Sequence, residues 1–258
     1  AFVDYPLSSG HAGSKEYHEK NWGRDFKRDD FIPLFKAQSF DAAKLCSIFK
    51  ACNARYVVPF LKHHSGFSLW DSAFTHRDVV DRGPRRDLCR ELVNACRTEN
   101  LKFGFYFSLG EWEYPLLKDD NRVEILQEFT RRRPLEVEDE MRASGKVAVR
   151  DYVREYSVPQ AVDFIKKYDP DILWYDYDWC APATGLGSYI MSAYFYTVNE
   201  GRKEVCVNDR YGNGTPEDNK KLKTSKRTWL RTVRGDFYTD ELGDTSDCIS
   251  PESWHPWE

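Results

Sequence analysis

A chain of 258 residues with 41% hydrophobic and 15% aromatic content has enough apolar side chains to bury a substantial core, and its length fits one large α/β domain better than two small ones. Its 38 basic and 42 acidic residues leave a net charge of −4, so no surplus of positive charge can neutralise a phosphate backbone, and nucleic acid is not an expected partner. The apolar runs fall far short of the roughly 20 residues that a membrane-crossing helix needs, so no membrane span is expected.

No initiator Met or signal-like apolar stretch precedes Ala1, which implies a removed targeting segment or a chain that starts partway through a longer protein. The first 35 residues are rich in Gly, Ser, His, Lys and Asp, have no sustained apolar period, and are expected to be irregular. Asp41 is a candidate N-cap for a helix carrying Leu45, Ile48, Phe49 and Cys52. Tyr56–Leu61 then reads as a short strand covered on both faces, with Lys62, His63 and His64 at its C-terminal end. Asp87 caps a second predicted helix with Leu88, Leu92, Val93 and Cys96, followed by a buried strand over Leu101–Phe107 that ends in Tyr106, Phe107 and Ser108.

The segment 111–146 is heavily charged and reads as a long excursion near a substrate entrance. Val158, Ala161, Val162, Ile165 and Tyr168 form a helical stripe with Pro159 in its first turn, and the strand Ile172–Asp176 follows. A helix over Gly187–Val198 leads to the strand Val205–Val207, which runs directly into Asn208, Asp209 and Arg210. The seven cysteines show no CxxC spacing, which disfavours zinc; Cys89 and Cys96, seven apart, fall on one helix face as small buried hydrophobes.

This βαβαβ rhythm implies parallel strands with right-handed crossovers, in an open doubly wound sheet or in a closed barrel. No glycine-rich dinucleotide turn follows any strand, and polar residues stand at the C-terminal end of each, which favours a (β/α)8-like TIM barrel. Only four strands are convincing, with one more near Phe237, against the eight of a closed barrel. The expectation is therefore a single partial catalytic domain over residues 1–258, incomplete at both ends.

Chemistry concentrates in the segment Trp174-Tyr175-Asp176-Tyr177-Asp178-Trp179, where two carboxylates sit among aromatic residues that also suit sugar faces. Strand alternation would put Asp176 and Asp178 on one face and Tyr175 and Tyr177 on the other. Both carboxylates also suit a capping role. Neutral His63 and His64 could hydrogen-bond sugar hydroxyls; a metal is disfavoured because adjacent strand residues point in opposite directions and no HxH or HExxH pattern is present. Asp209 suits an ion-pair network as well as catalysis, and Arg210 suits hydroxyl binding. No Gly-x-Ser-x-Gly elbow, P-loop or reactive-cysteine signature supports acyl or phosphoryl transfer.

Four ordered segments, ARYVVPFLKHHSGFSLWDS, GPRRDLCRELVNACRTENLKFGFYFSLGEWEYP, DILWYDYDW and VNDRYG, resemble family 29 glycoside hydrolases, the α-L-fucosidases, from about Asp25 to the C-terminus. The resemblance implies a retaining exo-glycosidase without metal or organic cofactor, acting on fucosylated oligosaccharides or glycoproteins in a secreted, periplasmic or lysosomal setting. It implies Asp176 as nucleophile, Glu241 in GDFYTDE as acid/base with Asp240 and Glu252 as weaker substitutes, and His63, His64, Tyr106, Trp174 and Arg210 as fucose contacts, with Trp112 as further apolar surface. The family's first barrel strand with its HWG motif is absent, Tyr211 replaces a usual Trp, and a family segment leading to the last strands and a C-terminal β domain begins at HPWE. A fucose-binding relative without turnover, an inert fragment, and a retaining barrel glycosidase for another sugar such as galactose remain alternatives.

Overall fold

We describe the protein from a computed structural model over residues 14–111, 145, 149, 151–177, 183–208 and 210. The segment expected to be irregular carries helix α1 (Ser14–Trp22) and a 3-10 helix (Arg28–Leu34). Neither has an apolar stripe to read in the sequence. They are held by three rings, Trp22, Phe26 and Phe31, with centroids 4.8 to 5.0 Å apart, and by Asp29, which accepts two hydrogen bonds from the buried Arg77 guanidinium at 2.6 and 2.7 Å.

Helix α2 (Ala42–Ala51) begins at Asp41, whose carboxylate accepts the Lys44 N–H at 2.9 Å, and α3 (Leu88–Thr98) begins at Asp87, which accepts the Arg90 N–H at 2.8 Å. Each cap satisfies a backbone donor that the first turn leaves open. Asp87 also accepts the Tyr168 hydroxyl at 2.6 Å, tying α3 to the end of α4 (Val158–Tyr168). A π-helical turn, Tyr152–Ser157, leads into α4, and α5 (Ala183–Leu186) and α6 (Ser188–Asn199) follow later.

Among the described residues the strands are β1 (Tyr56–Val57), β2 (Phe60–Lys62), β3 (Lys102–Ser108), β4 (Ile172–Asp176) and β5 (Cys206–Val207). The single strand expected over 56–61 is split, because Pro59 has no N–H to give to a ladder and the register shifts beyond it. Tyr56 and Phe60 are exposed rather than covered on both faces. Every strand pair is parallel, and β1 and β2 pair with β3, β3 with β4, and β4 with β5. Among the described strands, spatial order therefore follows chain order, with no reversal at which a doubly wound sheet would place its ligand.

The two faces of the sheet differ. Leu61, Phe103, Phe105, Phe107, Leu173 and Tyr175 share one core with Cys46 of α2, Val93 of α3, Phe164 of α4 and Phe195 of α6. Tyr106, Ile172 and Trp174 form a separate small cluster with Val58 and Cys206. Gly104 belongs to that tight side: a Cβ there would meet Val58 at 2.6 Å. Sequential parallel strands with the helices on one face form an arc of a (β/α)8 TIM barrel, with the small cluster facing the barrel interior.

Phe164 stacks on Phe105 at 3.5 Å and meets Trp70 edge-on at 5.3 Å; each fully buried side chain of this kind contributes about 1.5–3 kcal/mol. Cys89 and Cys96 are both buried on the core face of α3, and Cys96 Sγ lies 3.6 Å from Cys46 Sγ. Burial pushes the Cys96 thiol up to about 12, so these sulfurs act as packing atoms.

Candidate active site

Parallel strands deliver their last residues to one rim. The register sets Tyr106 beside Trp174 and Ser108 beside Asp176, while β2 delivers Lys62, His63 and His64 and β5 leads into Asn208 and Arg210. Asp176 is the centre of this rim. One carboxylate oxygen, Oδ2, accepts a short hydrogen bond from the Tyr106 hydroxyl. The other, Oδ1, accepts the Tyr177 N–H at 2.8 Å and Arg210 Nη1 at 3.0 Å. Three donors from three segments fix the carboxylate plane, with the side chain still 13% exposed.

The backbone turns sharply after Asp176. Tyr177 has φ +84°, a conformation that costs a non-glycine residue on the order of 1–3 kcal/mol and tends to persist where the surroundings enforce it. The turn aims the Tyr177 N–H at Asp176 and swings its buried ring to 4.5 Å from that of His64. The alternation that would have placed Tyr177 opposite Asp176 ends with β4, one residue earlier.

The same correction applies to the histidines. They lie just past β2, so strand alternation does not separate them: their ring centroids are 4.0 Å apart, and His63 is nearly parallel to Tyr106, 4° between planes. His64 is buried, its Nε2 lies 3.8 Å from Asp176 Oδ2, and its Nδ1 lies 2.5 Å from Ser108 Oγ. Burial, then the neighbouring His63, lowers the His64 pKa to about 3 against the pull of Asp176. The ring is neutral at physiological pH.

Lys62 points the other way. Its fully buried ammonium donates to Glu111 Oε1 and Gln160 Oε1, both at 3.1 Å, and sits 3.8 Å above the Phe107 ring. Burial lowers its pKa while Glu111 holds it up. Glu111 and Ser108 carried no expected role: nothing local marks a residue whose partner lies across two strands. Trp174 is buried with Tyr106 and Ile172, two residues below Asp176 on the same face. Asn208 is structural: its amide accepts the Tyr175 N–H at 2.7 Å and donates to the Tyr175 carbonyl at 2.9 Å, extending the ladder between β4 and β5.

Ligand atoms of His63, His64 and Asp176 lie within 4.8 Å of one another, close enough to share a cation by distance alone. The Arg210 guanidinium already occupies one carboxylate oxygen and brings a positive charge to the same place, which opposes a second cation. Neutral imidazoles, a phenol, a guanidinium and an oriented carboxylate instead suit a polyhydroxylated ligand. Trp112, Asp178, Asp209, Tyr211, Phe237, Asp240, Glu241 and Glu252 lie outside the described residues.

Comparison with known proteins agrees with the architecture. The family profile for alpha-L-fucosidase matches residues 5–255. Plasma alpha-L-fucosidases of Pongo abelii and Homo sapiens are each 34% identical over 202 residues, 78% of this chain and 39% and 38% of theirs. The chain thus spans about two-fifths of the length of these curated relatives. The crystal structure of Thermotoga maritima alpha-fucosidase superposes with a TM-score of 0.62 at 29% identity, covering 82% of this chain and 45% of that one. Its complex with fucose gives a TM-score of 0.61 at the same identity and coverage. A profile match over nearly the whole sequence, on a barrel arc whose polar residues converge on one carboxylate, places this chain in the alpha-L-fucosidase family.

Proposed function

We propose that the protein is a retaining exo-glycosidase that releases terminal α-L-fucose from oligosaccharides or glycoproteins, with Asp176 as nucleophile. The observation that carries this reading is the convergence of Tyr106, Tyr177 N–H and Arg210 on the Asp176 carboxylate beside His64. Support also comes from the Thermotoga maritima enzyme, a 28–29% identical relative seen in complex with fucose and with a mechanism-based inhibitor.

In the first step an Asp176 oxygen attacks the anomeric carbon, the bond to the leaving oxygen breaks, and Glu241 gives that oxygen its proton. In the second, Glu241 takes a proton from water, the water oxygen attacks the same carbon, and the bond to Asp176 breaks. Two inversions restore the configuration. This requires the two carboxyl groups roughly 5 Å apart. His63, His64 and Arg210 hold ring hydroxyls, and Trp174 offers apolar surface to the deoxy methyl group.

The test is release from an aryl α-L-fucoside, with an aryl galactoside alongside, by wild type and Asp176→Ala. Fucoside turnover by wild type that vanishes in the variant is the expected result. Equal turnover by both removes Asp176 from the chemistry; fucose binding without turnover identifies a binding protein; a galactoside preference moves the assignment to another sugar.

A further inference from the structure

Ser108 is fully buried at the end of β3, beside Asp176 in register, and no step above uses it. Its hydroxyl has one proton. Gly110 O lies 2.6 Å from Ser108 Oγ and, as a carbonyl, can only accept, so the proton goes there. The lone pairs of Ser108 Oγ then face His64 Nδ1 at 2.5 Å, and the hydrogen of that contact has to come from the imidazole. A neutral ring that carries its proton on Nδ1 can only accept at Nε2, the nitrogen that faces Asp176 Oδ2 at 3.8 Å.

We propose that Ser108 is a positioning residue: with Gly110 it locks His64 as the Nδ1–H tautomer, so that Nε2 meets the ligand beside Asp176 as a hydrogen-bond acceptor. The opposite tautomer would turn Nε2–H toward Asp176, adding a donor to a carboxylate that already has three and weakening it as a nucleophile. Ser108 thus leaves Nε2 able only to accept and keeps His64 from competing for the carboxylate. The effect on turnover rests on the proposed glycosidase reading; the tautomer assignment does not.

The experiment is a two-bond nitrogen–proton NMR correlation of the His64 ring in the ligand-free protein, for wild type, Ser108→Ala and Ser108→Thr. Aryl α-L-fucoside kinetics on the same samples complete it. Wild type should show the proton on Nδ1, Ser108→Ala a mixture of tautomers, and Ser108→Thr, which keeps the hydroxyl, the wild-type pattern. Fucoside kcat/KM should fall about tenfold or more in Ser108→Ala and recover in Ser108→Thr. A proton on Nε2 in wild type overturns the proposal, and so does an unchanged tautomer in Ser108→Ala. Absence of fucoside turnover by wild type would instead sink the hydrolase reading, while the ring spectrum still decides the tautomer.

Discussion

The two ends of the parallel sheet use the same residue types to opposite ends. At the N-terminal end, Asp171 meets Lys102 at 3.3 Å and Lys203 at 3.4 Å, and Asp169 meets Lys203 at 3.1 Å and also Arg202. Lys102 is 60% exposed there, and Lys203 also donates to the carbonyls of Asp169 and Pro170. The hydrogen bond from Arg202 lowers the Asp169 carboxyl to about 2, the behaviour of a solvated pair that braces a turn. At the C-terminal end, Lys62 and Glu111 are fully buried, His64 is buried, and Asp176 keeps only a small exposed fraction. Environment rather than composition separates brace from site: water screens Lys102, Arg202 and Asp169, whereas the buried rim acts through fixed donors in a medium where each charge counts for more.

Asp176→Asn gives the largest expected contrast. It preserves shape and removes the nucleophile, so fucoside turnover should fall by at least about a thousandfold, with the urea midpoint within experimental error of wild type. A large loss of stability would instead make Asp176 a brace like Asp169.

Lys62→Met leaves Glu111 buried without its ammonium partner and should cost about 3–5 kcal/mol in urea unfolding, most of it recovered by adding Glu111→Leu. Failure of the double variant to recover stability would mean that the pair does more than neutralise itself.

His64 adds a pH signature. Its pKa falls on folding from about 6.5 to about 3, so across that window the unfolded chain binds more protons than the folded one. Its contribution is complete above about pH 6.5 and is lost as pH falls toward 3. The wild-type stability relative to His64→Gln should therefore drop between pH 7 and pH 5 by on the order of 2 kcal/mol. A flat difference would show that the ring titrates normally. The smallest effect belongs to the opposite end: Lys102→Ala should change stability by under about 1 kcal/mol, and less at high salt.

The rim is partly legible in the sequence. Asp176, His63, His64, Tyr106 and Arg210 could be nominated from strand ends, polar clustering and family-like segments, and they do assemble around one carboxylate. Ser108, Glu111 and Tyr177 could not. Ser108 closes on a partner 44 positions away and Glu111 on one 49 away, distances over which periodicity carries no information. Tyr177 adopts a positive φ, for which tyrosine has no local preference, so only its surroundings enforce it.

By itself the sequence determined the local pieces. Asp41 and Asp87 cap α2 and α3, the apolar stripes of α3 and α4 set the faces they bury, and the run from Ile172 to Asp176 makes a buried strand, because each depends on neighbours within about four residues. Tertiary structure alone decided that two adjacent histidines turn to the same side, that the lysine before them pairs on the opposite, helix-covered side, and which nitrogen of His64 carries its proton. Those outcomes follow from the register of β2, β3 and β4, fixed only when the helices close over one face of the sheet and bring residues from distant segments into hydrogen-bonding range.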